Sequence, residues 1–343
     1  MTLYRSYLIN EPSGVGNLRR AVNLRARQTG FNQELRGRAA LVATEMATNL
    51  IKHTPSGGEV LVGSLRAPHP QQPDQEINGL CLIALDQGPG LVDPYYALRN
   101  GVSTAGTLGG GLGAIQRMSD QFDIQTSLGK GTAVLAQIWD LDNNLALPTS
   151  PWDVEIGAVA VARPGQKECG DGWLVMGPPN HPRILIVDGL GHGEKAAEAK
   201  QAALDTFQTI AQLPPETIIR QLNEALRRTR GAVLALVEIN LEQSELLYTS
   251  VGNIAGRLLS PERDHGLIAF GGIVGSQIPR FQLMSHTWSP QSMLVMHTDG
   301  LKTQWDISDY AGLVSHHPTL VAAVLYRDFS RRTDDTAVVV ARN

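Results

Sequence analysis

Several acidic and amide side chains occur where they could bind cations or act as a base. In the helix-like stretch ATEMATNLIKHT, Glu45 and Asn49 are four residues apart and therefore share one face. A carboxylate and an amide oxygen so placed can orient a water molecule and bind Mg²⁺, which prefers oxygen ligands. The alternative is the solvated polar face of an amphipathic helix.

A second candidate, Asp86-Gln-Gly-Pro-Gly90, directly follows the apolar stretch CLIAL. A carboxylate at a strand end can accept a hydrogen bond from an exocyclic amine, and the backbone at Gly88 and Gly90 leaves room for a flat ring. The glycines of residues 106–118 then run into a helix start, where free N–H groups suit phosphates. Taken singly, the Asp86 motif could be an ordinary turn and residues 106–118 a glycine-rich loop. The stretch 129–132, at the entry to the last strand, could likewise be a plain hairpin turn.

Acidic residues also stand beside apolar strands in the second half: Asp188 after RILIV, Asp299 after MLVMHT, and Asp334 with Asp335 before TAVVV. Each could be part of a turn or a solvated tip. An unpaired buried charge is costly, and converging carboxylates repel one another unless cations lie between them. Together they predict a divalent metal site, with His192 as a hydrogen-bonding neighbour rather than a ligand.

The elements that position the first group mix helices and strands without strict alternation. Strands are expected at 3–9, 60–65, 80–86, 122–126 and 132–139, and helices at 15–29, 33–53 and near Leu112. This order predicts an α+β unit with an antiparallel or mixed sheet covered on one face. The irregular stretch 67–79 is expected to be a loose hairpin loop.

The second half contains seven short apolar strands with helices expected at 195–212, 215–228 and 319–326. This pattern predicts a two-sheet sandwich with helices outside. The proline-containing stretch DNNLALPTSP separates the halves. We therefore expect domains at 1–142 and 152–343, joined by a linker at 143–151.

Composition narrows the class of protein. The 343 residues suffice for about two domains of ~150 residues, with 42% hydrophobic and 18% charged residues. A net charge of -4 argues against a nucleic-acid platform. The two cysteines, Cys81 and Cys169, make a disulfide framework improbable, and no run approaches the ~18 apolar residues of a membrane span. We expect a cytoplasmic protein that binds neither nucleic acid nor membranes.

The motifs of residues 1–140, taken in order, resemble the GHKL ATPase family, and most closely its serine-kinase branch of RsbT-like anti-sigma and switch-protein kinases. The resemblance implies a Bergerat α/β sandwich that binds ATP under a small lid, and it gives each motif residue a role. Glu45 would be the general base for a serine hydroxyl, Asn49 would ligate Mg²⁺, Asp86 would bind the adenine amine, Gly88 and Gly90 would shape its pocket, Gly111 and Gly113 would cradle phosphates, and Thr132 would close the adenine side.

The pattern DGLGHG, RGAVLALVEIN, SVGN, GGIVG, HTDGL and TDDTAVVV resembles the metal-dependent protein phosphatases, in the SpoIIE and RsbX branch. The resemblance implies an α-β-β-α sandwich around two Mg²⁺ or Mn²⁺ ions. Asp188 would bridge the ions, the Gly189 carbonyl would hold one, Asp299 and Asp334 would complete the other, and Asp171 would lie nearby. Strand register favours Asp334 over Asp335, and Arg163 is a candidate for anchoring the phosphate.

The two resemblances together imply a bifunctional signalling regulator. The first domain would phosphorylate a serine or threonine of a STAS-domain antagonist or stressosome-type protein, and the second would remove the phosphate. Two alternatives are a first domain that only binds ATP and a partner, and an inactive phosphatase domain that serves as a scaffold. Kinases of this branch often pair, so a homodimer is possible.

Overall fold

The computed structural model describes residues 1–98, 111–141, 145–260, 263–276 and 280–343. Its backbone divides into two compact units. The first comprises residues 2–149 and 306–327, and the second comprises Met1, 150–305 and 328–343. Residue 142, the expected end of the first domain, lies outside the described residues, as do residues 143 and 144 of the expected linker and residues 99–110, which include the expected nucleotide lid. The boundaries 1–142 and 152–343 therefore stay a prediction.

The first unit is built on one five-stranded sheet with the order β1-β2-β3-β5-β4. Its elements in the first 141 residues are β1 (Arg5–Ile9), α1 (Pro12–Gln28), α2 (Gln33–His53), β2 (Gly58–His69), β3 (Gln72–Asp86), α3 (Pro94–Leu98), α4 (Gly111–Met118), β4 (Gln121–Ser127) and β5 (Gly131–Trp139). All four pairings of these strands are antiparallel. Of the antiparallel and mixed sheets that the sequence left open, the described residues therefore form the antiparallel one.

Helix α2 forms over the predicted residues because a capping residue starts it and its apolar residues lie on one face. The Asn32 side chain accepts a hydrogen bond from the Leu35 N–H at 2.9 Å and caps the first turn. Residues Leu35, Ala39, Val42, Ala43 and Met46 recur at helical spacing and are buried against the sheet and α1. Helix α2 therefore presents its other flank, which carries Glu45 and Asn49, away from this core.

Strands β2 and β3 form one long hairpin, and the loop predicted at 67–79 is wrong. The two strands pair out to His69↔Gln72, with a register shift between Pro68 and His69. Residues at this end of the hairpin are mostly exposed and carry no apolar alternation. The stretch is strand because it continues a ladder of hydrogen bonds that begins in the core. Its own composition does not indicate a strand.

The sheet of the first unit is buried on both faces, whereas one covered face was expected. Val60, Val62, Leu80 and Leu82 pack against α1 and α2. The residues that alternate with them, including Leu61, Cys81, Ile83 and Leu135, are also fully buried. Some other segment of the chain must therefore lie on the second face.

The second unit contains two five-stranded sheets with the orders β13-β10-β9-β8-β7 and β12-β11-β14-β15-β6. The elements after residue 150 are β6 (Glu155–Val161), β7 (Asp171–Met176), β8 (Arg183–Gly189), α5 (Glu194–Ile210), α6 (Pro215–Leu226), β9 (Ala232–Asn240), β10 (Glu245–Val251), β11 (Ala255–Leu259), β12 (Asp264–Leu267), β13 (Met284–Thr287), β14 (Met293–His297), α7 (Pro318–Phe329) and β15 (Thr336–Arg342).

Strand β7 contacts β6 and β15 of the other sheet, and α5 and α6 bury Phe207 and Ile219 against Leu185 and Leu234 of β8 and β9. The predicted two-sheet sandwich is confirmed. Strands β11, β12 and β13 were not predicted, because each is only four or five residues long and none is a continuous buried run.

Residues 306–327 follow β14 in sequence but fold as part of the first unit. They contain two 3-10 helices, Ile307–Asp309 and Leu313–Ser315, and most of α7. The Tyr326 hydroxyl donates to Glu59 Oε1 of β2 at 2.9 Å, and the His317 N–H donates to Asp123 Oδ2 of β4 at 2.7 Å. Glu59 and Asp123 alternate with the residues that face α1 and α2, so this segment lies on the second face of the sheet.

No helix within the described ranges combines the length and apolarity needed to cross a membrane.

Candidate functional site

Asp86 lies at the end of β3, and backbone hydrogen bonds hold its carboxylate in place. The N–H groups of Gly88 and Thr132 both donate to Asp86 Oδ1, at 2.8 and 3.2 Å. Burial raises the pKa of Asp86, while these two N–H groups and the charge of Arg327 oppose that increase. The Thr54 side chain also hydrogen-bonds this carboxylate. A carboxylate offers about four acceptor positions, so Asp86 can still accept a hydrogen bond from a ligand amine.

Glycines bring the Asp86 turn against the hairpin between β4 and β5. Gly90 has φ +74° and Gly131 has φ +88°, in the left-handed region. A Cβ on Gly90 would lie 2.3 Å from the Ser127 carbonyl oxygen, and one on Gly131 would lie 2.0 Å from the Asp86 carbonyl oxygen. The stretch 129–132, a plain turn on sequence alone, therefore orients the Thr132 N–H towards Asp86.

Asn49 of α2 lies against the first residue of α4. A Cβ on Gly111 would lie 3.2 Å from Asn49 Oδ1, and Gly113 is buried, with its Cβ position 2.9 Å from the Leu98 carbonyl oxygen. The first N–H groups of a helix have no intrahelical partner and can bind an anion. Glu45 lies one turn before Asn49 and is half-buried, and it forms no hydrogen bond to another candidate residue in the part of the chain that the structure describes.

In the second unit, Asp171 and Asp188 face one another across the antiparallel pair of β7 and β8. Their carboxyl groups are hydrogen-bonded to each other, and the Thr298 hydroxyl donates to Asp171 Oδ2 at 2.6 Å. Burial, and then repulsion from Asp299 and Asp334, raises the pKa of Asp188 to about 7. Burial and repulsion from Asp188 also raise the pKa of Asp171 well above its usual value.

Asp188, Asp299 and Asp334, from three separate parts of the sequence, line one pocket of about 470 Å³. The other residues that line it are Leu190, Gly191, His192, Val233, Gly252, Asn253, Gly271 and Gly272. Burial and repulsion from Asp334 raise the pKa of Asp299. The carboxylates therefore converge closely enough to repel one another. His192 is an exposed neighbour of these acids.

This donor set suits hard divalent cations, because it is made of carboxylate oxygens whose mutual repulsion a cation would relieve. Within the described ranges, no three His, Cys, Asp or Glu side chains already have the arrangement that encloses a metal ion. The residues fit Mg²⁺ or Mn²⁺ by their chemistry.

Asp334 and its neighbour Asp335 have different surroundings. Asp335 is 2% exposed, and its two oxygens accept the Arg163 N–H at 2.7 Å and the Gly170 N–H at 2.6 Å. Asp335 therefore fixes the loop that precedes Asp171, whereas Asp334 lines the pocket. Nearby, a Cβ on Gly189 would lie 2.2 Å from the Ala196 carbonyl oxygen, so glycine lets α5 approach the strand that carries Asp188.

Sequence reasoning assigned no role to Asn253 or Thr298. The Asn253 amide donates to Asp299 Oδ2 at 2.8 Å, and Thr298 donates to Asp171. A signal for Asn253 was available in the SVGN motif, where Gly252 has φ +103° and ends a strand beside a polar side chain. No comparable signal identified Thr298, because its contact depends on the packing of one sheet against the other.

Comparison with known proteins agrees with the two folds. Residues 178–343 match the family described as Stage II sporulation protein E (SpoIIE), and residues 8–138 match the Histidine kinase-like ATPase domain. The chain belongs to the SpoIIE phosphatase family and carries a histidine kinase-like ATPase domain ahead of its phosphatase domain.

Individual relatives match each part of the chain. Phosphoserine phosphatase RsbX of Bacillus subtilis (strain 168) is 30% identical over 138 residues, which are 40% of this chain and 69% of RsbX. Serine/threonine-protein kinase RsbT of the same organism is 32% identical over 114 residues, which are 33% of this chain and 80% of RsbT. The protein is thus a fusion of an RsbT-like domain and an RsbX-like domain, as the sequence motifs predicted.

A solved structure described as "The bacterial stressosome: a modular system that has been adapted to control secondary messenger signaling" is also similar. It has a TM-score of 0.52 and 28% identity, and the match covers 55% of this chain and all of the other chain. The predicted α+β fold class is confirmed.

Proposed function

We propose that the protein is a bifunctional regulator that phosphorylates a serine or threonine of a STAS-domain partner and also removes that phosphate. The observation that carries the phosphatase half is the convergence of Asp188, Asp299 and Asp334 on one pocket. The kinase half is supported by the fixed carboxylate of Asp86 and by the approach of Asn49 to Gly111.

In the phosphatase reaction, Asp188, Asp299 and Asp334 would hold two Mg²⁺ or Mn²⁺ ions, with the Gly189 carbonyl as a further ligand and Asp171 nearby. Bound divalent cations supply Lewis-acid activation of a water molecule and neutralise charge on the phosphoryl oxygens. Asn253 and Thr298, named above, would keep the Asp299 and Asp171 carboxylates in one orientation through their hydrogen bonds.

The cysteines support this mechanism over a thiol nucleophile. Burial raises the pKa of Cys81 to about 12, and burial and the charge of Asp171 raise the pKa of Cys169 well above its usual value. Both thiols are buried and remain protonated at neutral pH. Direct attack by water on the phosphoryl group, without a covalent phosphoenzyme, is therefore the reaction we propose.

In the kinase reaction, Asp86 would accept a hydrogen bond from the adenine amine of ATP, and Gly88, Gly90 and Thr132 would shape the pocket around the ring. The backbone N–H groups of Gly111 and Gly113 would bind phosphate oxygens at the start of α4. Asn49 would ligate Mg²⁺, and Glu45 would accept the proton of the attacking serine hydroxyl.

The names of the two relatives, a serine/threonine-protein kinase and a phosphoserine phosphatase, support opposed activities on one partner. The similarity to a stressosome structure supports a partner-switching role. Joining both activities in one chain raises the local concentration of each at a shared target.

A second candidate function is that the first domain only binds ATP and the partner, while the phosphatase supplies the only turnover. This alternative needs only the contacts that hold the Asp86 carboxylate, and those contacts do not involve Glu45. It retains the ATP pocket and omits the proton transfer.

One experiment separates the two functions. A STAS-domain protein encoded near this chain is incubated with labelled ATP and the Asp188→Asn variant, in which dephosphorylation is blocked. We expect labelled STAS protein with Asp188→Asn, and labelling slowed by about 10²-fold or more when Glu45→Gln is added to that variant. Intact ATP binding without label would support the binding-only function. Labelled STAS protein that keeps its label when wild-type chain and Mn²⁺ are added would contradict the phosphatase.

A further inference from the structure

Arg230 lies beside the loop that carries Asp188. Gly191 lines the acidic pocket, and an atom at its Cβ position would lie 2.8 Å from Nη1 of Arg230. Gly191 has φ +90° and no side chain, so the guanidinium occupies space that any other residue would fill. Arg230 does not itself line the pocket, but its guanidinium lies against Gly191, which lines it together with Asp188, Asp299 and Asp334.

The backbone on both sides of Arg230 is fixed to this loop. The Thr229 hydroxyl donates to the Leu226 carbonyl oxygen at 2.8 Å and accepts the Gly231 N–H at 3.0 Å. The Leu190 N–H donates to the Gly231 carbonyl oxygen at 3.1 Å. Arg230 therefore projects from a constrained turn, and its position relative to Asp188 is set by main-chain bonds.

The side chain of Arg230 is exposed and, in the described part of the chain, forms no hydrogen bond or ion pair. By contrast, Arg331, the other arginine close to these acids, donates its Nε to the Asp299 carbonyl oxygen at 2.8 Å. A guanidinium can donate two parallel hydrogen bonds to phosphate oxygens. It therefore binds a dianionic phosphoryl group with more defined geometry than an ammonium group, which acts as a point charge.

We propose that Arg230 binds the phosphoryl oxygens of the substrate at the mouth of the acidic pocket and positions the phosphorus for attack. This inference rests on the proposed phosphatase function and deepens it. The sequence offered Arg163 as the candidate for anchoring the phosphate, and the contact of Arg230 with the pocket residue Gly191 favours Arg230 instead. The substrate class is a phosphate monoester, and Arg230 recognises the phosphate rather than the side chain that carries it.

The test uses the full chain in Mg²⁺ and two readouts. Inorganic phosphate is titrated calorimetrically, and p-nitrophenyl phosphate hydrolysis gives kcat and KM. Arg230→Gln should weaken phosphate binding and raise KM by about 10-fold to 100-fold, because it removes charge-assisted hydrogen bonds. Arg230→Lys should recover part of the loss. Arg228→Gln, an exposed arginine two residues away, is the matched control and should behave as wild type.

Different results overturn different claims. If Arg230→Gln binds phosphate as tightly as Arg228→Gln does, or if Arg163→Gln alone weakens binding, the role of Arg230 is wrong. If the wild-type chain binds phosphate through Arg230 but hydrolyses no phosphate monoester, the proposed phosphatase function fails while the assignment of Arg230 stands.

Discussion

Neutralising Asp188 should stabilise the metal-free protein while removing its activity. The pKa of Asp188 is raised from 3.8 to about 7, by burial first and then by Asp299 and Asp334. That difference corresponds to a free-energy cost of about 4 kcal/mol for keeping the ionised carboxylate in the folded state. Because the pKa is raised in the folded state, the folded protein keeps its full stability below about pH 4, where Asp188 is protonated in both states. It loses up to that amount as the pH rises through about 7.

The assay is thermal unfolding of wild type and Asp188→Asn in EDTA at about pH 8 and about pH 5. At the higher pH the variant should unfold roughly 8–16 °C above wild type, and at about pH 5 the difference should narrow to roughly 3–6 °C, because only about a third of the cost remains between the unfolded pKa and that pH. Asp153→Asn, which neutralises an exposed aspartate of the same unit, is the matched control and should change little at either pH. A variant no more stable than wild type at the higher pH would refute the crowding of charge at this pocket.

Three further predictions concern the first unit. Asp86→Asn should weaken ATP binding about 10-fold to 100-fold in calorimetry, because the adenine amine loses a charged acceptor; an unchanged affinity would count against the adenine pocket. Glu45→Gln should slow phosphate transfer from labelled ATP by about 10²-fold or more while ATP affinity is kept; equal transfer rates would exclude a general base here. Burial opposes ionisation of Asp123, but hydrogen bonds from His316 and His317 outweigh it and lower its pKa. Asp123→Asn should therefore cost about 2 kcal/mol of stability in urea unfolding at neutral pH, and the cost should vanish as the pH falls below 3.8 through the lowered pKa; the same cost at both pH values would contradict the charged hydrogen bonds.

Features specified by local sequence could be predicted. Helix α2 forms over the predicted residues 33–53 because the Asn32 cap and the helical spacing of the apolar residues are both local features. The strands before Asp86, Asp188 and Asp299 were found because each is a short apolar run that ends at a carboxylate. These local signals were sufficient for the fold class and for the choice of candidate acids.

Features that depend on distant pairing could not be predicted. Residues 306–327 lie between two strands of the second unit in sequence, yet their partners Glu59 and Asp123 are in the first unit. The continuous apolar runs of β2, β3 and β5 agree with burial on both faces. Nothing in residues 2–149 identifies the distant segment that covers the second face. Likewise, Asp334 and Asp335 are adjacent in sequence and differ only in their contacts. The N–H groups of Arg163 and Gly170, from a distant loop, donate to the two oxygens of Asp335.

The most direct test of the account is anomalous scattering from crystals of the full chain grown with Mn²⁺. We expect two anomalous peaks about 4 Å apart among the carboxylates of Asp188, Asp299 and Asp334, and their loss in Asp188→Asn. A wild-type map with no Mn²⁺ among these three residues, or with the ions bound elsewhere, would contradict the claim that these acids form the metal site of the phosphatase.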